Sequence, residues 1–111
     1  MKISKSVTKS GIVLLEVEGE VDAHTARKLD QALKDLLAQG HSRLVLDASQ
    51  MGYISSAGLR VVLFAHREAR QLGGEVRLFG LNAQVRRVFE IAGFDKLLCI
   101  SDTRQESMEG W

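Results

Sequence analysis

The sequence predicts a small α/β domain with a mixed, mostly parallel β-sheet of about five strands and helices packed on it. Short apolar segments typical of strands alternate with segments whose leucines and valines recur at helical spacing. Glycines follow the helical segments at Gly40, Gly73 and Gly93. With 111 residues, 45% hydrophobic and 26% charged, the chain can bury one core in a single domain spanning residues 1–111.

The chain begins with a predicted pair of strands, at residues 3–8 and 12–17. In the second strand apolar residues alternate, and the tight turn at Ser10-Gly11 makes the pair antiparallel. A helix follows, and either Asp22 or Thr25 can cap its start. Four leucines recur on one face of this helix: Leu29, Leu33, Leu36 and Leu37.

The second half of the chain continues the alternation. Residues 43–47 form a near-continuous apolar run, typical of a strand buried on both faces. After a short loop we expect a helix from about Ser56 to Gln71, a strand at 76–79, a helix capped by Asn82 and a strand at 97–100. This order implies right-handed crossovers. The helices have apolar anchors at Leu59, Val62, Leu63 and Leu72, and at Val85, Val88, Phe89 and Ala92.

Composition excludes several classes of protein. A net charge of +1 gives no broad basic face for nucleic acid, and 5% aromatic residues leave little for stacking on bases. No apolar run approaches a membrane span and no secretion signal is present, so we expect a cytoplasmic protein without membrane insertion. The single cysteine, Cys99, is expected to be a small core residue. The polar tail, about residues 102–111, is expected to fray unless Trp111 folds back onto the body.

Open α/β sheets form their sites at the carboxyl ends of strands. Hydroxyls at a helix start lie beside free N–H groups that suit an anion, although serines at this place are more often only a helix cap. Capping also explains Asp22, and turn formation explains Asp47. Gly58, in the first helical turn, is explained by a close approach of a neighbouring element or a partner, or by tight packing on the sheet. If the second and third strands are parallel, one rim of the sheet carries Glu20, Asp22, Asp47, Ser55 and Ser56.

The residues offer no arrangement for catalysis. The nucleophile elbow G-x-S-x-G needs glycine two residues before the serine, where this chain has Ile54 before Ser56. No glycine loop for a nucleotide is present, and the three histidines have no ligand spacing with Cys99. We therefore expect a protein that is not an enzyme and has no cofactor or metal site.

Taken together, several segments resemble the STAS family, the domain of bacterial anti-sigma factor antagonists and of the cytoplasmic tails of sulphate transporters. The resemblance extends over nearly the whole chain, up to Ile100. It lies in Gly19-Glu20-Val21-Asp22 with His24-Thr25-Ala26, in Leu46-Asp47 and Tyr53-Ile54-Ser55-Ser56-Ala57-Gly58-Leu59, in Leu72-Gly73-Gly74, and in the stretch from Phe89 to Phe94.

The resemblance implies an anti-sigma factor antagonist that works by partner switching. An ATP-dependent anti-sigma factor serine kinase binds the unphosphorylated chain, releases its client and phosphorylates one serine. By position this is Ser56, with Ser55 as the competitor, and a metal-dependent serine phosphatase resets the switch. The resemblance also implies that Glu20 and Asp22 contact the partner. The full set of expected partner-binding residues is Glu20, Asp22, Asp47, Ser55, Ser56, Ala57 and Gly58.

Two other functions stay open at this point. A non-switching STAS subunit that regulates a membrane transporter would have the same fold, and its serine would only cap the helix. A response-regulator receiver would use Asp47 as its phospho-acceptor, but the expected acidic pair after the first strand and the lysine after the last are missing. A free-standing chain with a Ser-x-Gly loop favours the antagonist.

Overall fold

One six-stranded sheet organises the computed structural model, which describes residues 1–111. The strands are β1 (Lys2–Val7), β2 (Val13–Val21), β3 (Arg43–Asp47), β4 (Met51–Ile54), β5 (Glu75–Phe79) and β6 (Cys99–Ser101). Their order is β1-β2-β3-β5-β6, and β4 pairs with the end of β2. Only the β1–β2 pair is antiparallel, so the predicted mixed, mostly parallel sheet is confirmed.

Helices lie on both faces of the sheet. They are α1 (Ala26–Ala38), α2 (Ser56–Gln71), α3 (Ala83–Ile91) and α4 (Arg104–Met108), with a 3₁₀ turn at Phe94–Lys96. Side chains of α1, α2 and α3 share a core of 23 buried residues with the inner face of the sheet, and this core includes all four predicted leucines of α1. On the outer face, α4 packs against a smaller apolar cluster. None of the helices combines the length and apolarity needed to cross a membrane.

The segment before α2, where the sequence predicts a loop, contains the strand β4. Met51 and Ile54 are buried, whereas Gly52 and Tyr53 between them are exposed. Four residues with this pattern show no strand periodicity, so only their pairing with β2 identifies them as a strand. The same pairing extends β2 to Val21, beyond the predicted end at residue 17.

Three residues that the sequence predicts to lie in the core, Cys99, Leu72 and Ala92, are exposed. Cys99 is exposed, since the 3₁₀ turn delays the start of β6 and places Leu98 in the core instead. Leu72 and Ala92 are exposed too, and each directly follows the last residue of its helix, where the chain turns away from the sheet. The C-terminal tail does not fray, because Trp111 folds back onto the outer face.

His66 links α2 to β5, and we expect it to make the stability of the chain depend on pH. Its Nδ1 accepts a hydrogen bond from the Val76 N–H (3.2 Å). Burial lowers the pKa of His66 below its usual value of 6.5. The unfolded chain therefore binds more protons than the folded one between the lowered pKa and the usual value. The free energy of unfolding falls as the pH drops through that interval and is unaffected by His66 above it.

We expect His66→Gln to reduce this pH dependence, because a glutamine side chain does not titrate. Urea unfolding at about pH 7.5 and about pH 5.5, on either side of the ordinary histidine pKa, measures the change. His41→Gln, on the loop before β3, is the control and should keep the wild-type dependence. Identical pH dependence in the wild type and His66→Gln would contradict the assignment.

Candidate functional site

The end of β2 meets the start of α2 at one edge of the sheet. Val21 lies opposite Ile54 in the β2–β4 pair. The Ser55 N–H continues this ladder by donating to the Val21 carbonyl (2.8 Å). Because β4 leads directly into α2, the residues around Val21 lie beside the first residues of the helix. The structure thus places the backbone on either side of Val21, at Glu20 and Asp22, at the same edge of the sheet as Ser55 and Ser56.

The two serines have different environments. Ser55 is the N-cap of α2, and its half-buried hydroxyl oxygen accepts a hydrogen bond from the Gly58 N–H (3.2 Å). Ser56 is the first residue of the helix and is exposed. A helix cap therefore explains Ser55, whereas the Ser56 hydroxyl faces solvent and is accessible to a second molecule.

The start of α2 is positively polarised. Its first helical hydrogen bond runs from the Leu59 N–H to the Ser55 carbonyl (2.9 Å). The amides of Ser56 and Ala57 precede that bond and have no partner within the helix. Arg60 is exposed four residues after Ser56, hence on the same side of the helix. Sequence reasoning missed Arg60, although this four-residue spacing indicates that it neighbours Ser56.

Gly58 allows the helix to approach the sheet closely. A Cβ atom added to it would lie 2.8 Å from the Cγ1 atoms of both Val21 and Ile54, which are buried. Of the explanations that the sequence leaves open, the structure shows tight packing on the sheet, against Val21 of β2 and Ile54 of β4. Since no larger residue fits without movement, this contact fixes the position of the first helical turn and of Ser56.

Asp22 orders the turn between β2 and α1. Its carboxylate accepts hydrogen bonds from the N–H groups of Thr25 (2.8 Å) and His24 (2.9 Å). These bonds, the one from Thr25 foremost, lower the pKa of Asp22. The Thr25 hydroxyl donates to the Glu20 carbonyl (2.8 Å). Asp22 therefore carries a negative charge at neutral pH in a fixed position, beside the exposed side chain of Glu20.

Asp47 lies apart from these residues, so the predicted single rim is wrong for this position. It pairs with Glu16, five residues before Val21, which is about 16 Å along an extended strand. Its carboxylate accepts hydrogen bonds from the N–H (2.9 Å) and the hydroxyl (2.6 Å) of Ser49. The reason is that β3 stops at Asp47 and β4 takes its place beside the rest of β2. Asp47 forms the turn between them.

We call the surface formed by Glu20, Asp22, Ser55, Ser56 and Ala57 the Ser56 edge. Tyr53, which pairs with Glu20 and is 47% exposed, adjoins it. The carboxylates come from the end of β2 and the turn after it, and the hydroxyls and Arg60 come from the start of α2. No group of three or more histidine, cysteine, aspartate or glutamate side chains is placed to hold a metal ion. The edge presents an exposed hydroxyl on a backbone fixed by hydrogen bonds, which suits recognition by another protein.

The chain is similar to known proteins in sequence and in fold. The family model of the STAS domain matches residues 4–107. The chain is 39% identical over 95 residues to BtrV of Bordetella bronchiseptica, covering 86% of this chain and 82% of that protein. It is 36% identical over 90 residues to the anti-sigma-B factor antagonist of Listeria monocytogenes, covering 81% and 79%. Its fold matches that of the unphosphorylated anti-sigma factor antagonist SpoIIAA (TM-score 0.75, 19% identity, 95% of this chain and 92% of that chain).

Proposed function

The chain belongs to the STAS domain family, and on this basis we propose that it is an anti-sigma factor antagonist controlled by phosphorylation of Ser56. In the unphosphorylated protein, the Ser56 edge binds an anti-sigma factor that is also an ATP-dependent serine kinase, and this binding releases the kinase's client in the cytoplasm. The bound kinase then phosphorylates Ser56, and the complex separates. A metal-dependent serine phosphatase restores the binding form. The chain itself is a regulator and a kinase substrate.

The exposure of Ser56 at the start of α2 carries this proposal. A kinase must reach the hydroxyl that it modifies, and Ser56 is exposed whereas Ser55 is half-buried. The Ser55 oxygen also accepts the capping hydrogen bond from Gly58, which a phosphate on that oxygen would disturb. A subunit whose serine served only as a cap would need Ser55 alone. The second serine therefore favours the switching antagonist over the transporter subunit.

Charge explains how phosphorylation would end binding without unfolding the chain. The phosphate adds about −1.5 to −2 charges beside Glu20 and Asp22. A partner that fits the unmodified edge then meets a more negative and bulkier surface. The helix start offsets part of the repulsion within the chain, contributing roughly 0.3–1 kcal/mol. Phosphorylation should thus remove the partner while the fold stays intact.

Ser56→Asp tests the proposed switch. Because it adds negative charge at the edge, we expect it to weaken binding to the anti-sigma factor by about tenfold or more, equivalent to about 1.4 kcal/mol. Titration calorimetry against each purified anti-sigma factor kinase of the source genome measures the affinity. Ser6→Asp adds the same charge at an exposed position of β1 and should bind like the wild type. The proposal would be contradicted if both variants weakened binding equally, or if Ser56→Asp bound like the wild type.

Arg60 should attract a phosphate on Ser56, since it lies one helical turn away on the same side. In protein made with phosphoserine at position 56, we expect the second phosphate pKa, ordinarily about 6, to be lowered. Arg60→Gln should raise that pKa, and Arg67→Gln, at an exposed site further along α2, should not. Phosphorus NMR over a pH series measures the phosphate pKa in the unsubstituted phosphoprotein and in the two variants. The same phosphate pKa in Arg60→Gln and the unsubstituted phosphoprotein would show that Arg60 does not contact the phosphate.

A further inference from the structure

Arg77, a cation of β5, holds the C-terminal segment against the outer face of the sheet. It is only 8% exposed. Its Nη1 donates hydrogen bonds to the carbonyls of Ser107 (3.2 Å) and Glu109 (2.5 Å). The guanidinium carbon lies 3.7 Å from the centre of the Trp111 ring. Its Nε donates to the Glu75 carboxylate (2.6 Å), which balances the charge. A single side chain thus contacts three residues of the segment.

An apolar strip lies beneath the segment. It crosses the three central strands and forms a cluster separate from the main core. Met108 and Trp111 pack on it. If the segment moved away, this strip would face water, at a cost proportional to the apolar area exposed. The strip consists of Ile12, Leu14, Val45 and Phe79.

The segment has little capacity to stay ordered alone. Its helix, α4, has five residues, and isolated helices of that length are not stable in water. The Thr103 hydroxyl caps it by accepting from the Glu106 N–H (3.2 Å), which is a local contact. The ion pair between Arg86 and Asp102 (3.2 Å) is exposed and contributes little. Contacts with Arg77 and the apolar strip therefore decide whether the segment stays in place.

We propose that residues 103–111 form a strap that Arg77 latches onto the sheet, and that the strap opens as a unit while the rest of the chain stays folded. The main core and the hydrophobic side chains packed against it include no residue after Ile100, so opening the strap removes nothing from that core. What changes is the outer face, which becomes an exposed apolar strip across three strands. Local opening of this kind is typical of a segment held by few contacts.

Hydrogen exchange in the chain of residues 1–111 tests the latch. Arg77→Gln should raise the exchange rate of the strap amides by about tenfold or more while α1 and α2 keep their protection. Arg70→Gln is a matched control, since Arg70 also approaches the Glu75 carboxylate (3.7 Å) but makes no hydrogen bond to the strap. Trp111 is the only tryptophan, so its fluorescence should shift to longer wavelength in Arg77→Gln alone.

Trp111→Ala provides a second test that keeps Arg77. It should also release the strap amides and should increase the binding of a hydrophobic dye, anilinonaphthalene sulfonate, to the exposed strip. Unchanged strap exchange in either variant would overturn the proposal. An equal loss of protection in the strap and in α1 would overturn it as well, because Arg77 would then support the whole fold.

Discussion

Replacing Ser56 with alanine is expected to abolish phosphorylation by the anti-sigma factor kinase while leaving partner binding intact. The substitution removes the exposed hydroxyl and adds no charge at the Ser56 edge. Ser55→Ala should still be phosphorylated but should be less stable. It keeps the acceptor hydroxyl of Ser56 but loses the hydrogen bond to the Gly58 N–H, which costs about 1 kcal/mol of stability.

Intact-mass measurement after incubation with kinase and ATP, together with urea unfolding, separates the two serines. We expect no added phosphate on Ser56→Ala and full phosphorylation of Ser55→Ala at a lower unfolding midpoint. The reverse pattern, with Ser56→Ala fully labelled and Ser55→Ala unlabelled, would make Ser55 the acceptor. Binding to the kinase by both variants shows that neither result comes from misfolding.

Gly58→Ala is expected to destabilise the chain and to displace Ser56. The new methyl group would lie 2.8 Å from Cγ1 atoms of Val21 and Ile54. Forcing an extra methyl into a packed site costs about 1–3 kcal/mol. The better helix propensity of alanine returns only about 0.5–1 kcal/mol. The clash therefore outweighs the gain, and α2 must move away from β2 and β4, which carries Ser56 with it.

The control for this substitution is Gly52→Ala. A Cβ atom there would meet nothing within 4 Å, and the residue lies on β4 close to the same edge. Urea unfolding should show a lower free energy of unfolding for Gly58→Ala than for Gly52→Ala, and calorimetry should show weaker kinase binding. If Gly58→Ala were as stable as the wild type, the close approach of helix and strands would not constrain the site.

Sequence patterns predict the elements that have a clear period or a cap. The strand at residues 43–47 is confirmed with the same bounds, and Asn82 caps α3 by accepting from the Val85 N–H (2.8 Å). The pattern fails at β4, where four residues show no alternation and pairing with β2 decides the structure. The misplacement of Asp47 has the same cause: without β4, the sequence predicts that β2 and β3 end at the same edge of the sheet.

Arg77 shows a second limit of sequence reasoning. A cation inside an apolar strand gives no indication of its partners, and here those partners are carbonyls of Ser107 and Glu109, 30 and 32 residues away along the chain. The return of Trp111 to the sheet depends on the same long-range contacts. By contrast, Ser55 and Ser56 are placed by local signals, namely a strand end, a cap and a helix start. Their separation into a capping serine and an exposed serine needed the structure.

The most direct test of the switch is the affinity of the anti-sigma factor for this chain with and without a phosphate on Ser56. Titration calorimetry measures this affinity for the two forms, and thermal unfolding of each form shows whether it is folded. We predict that the phosphorylated chain binds at least about tenfold more weakly and still unfolds cooperatively. Equal affinity of the two forms, or weak binding accompanied by an unfolded phosphorylated chain, would contradict the proposed role of Ser56.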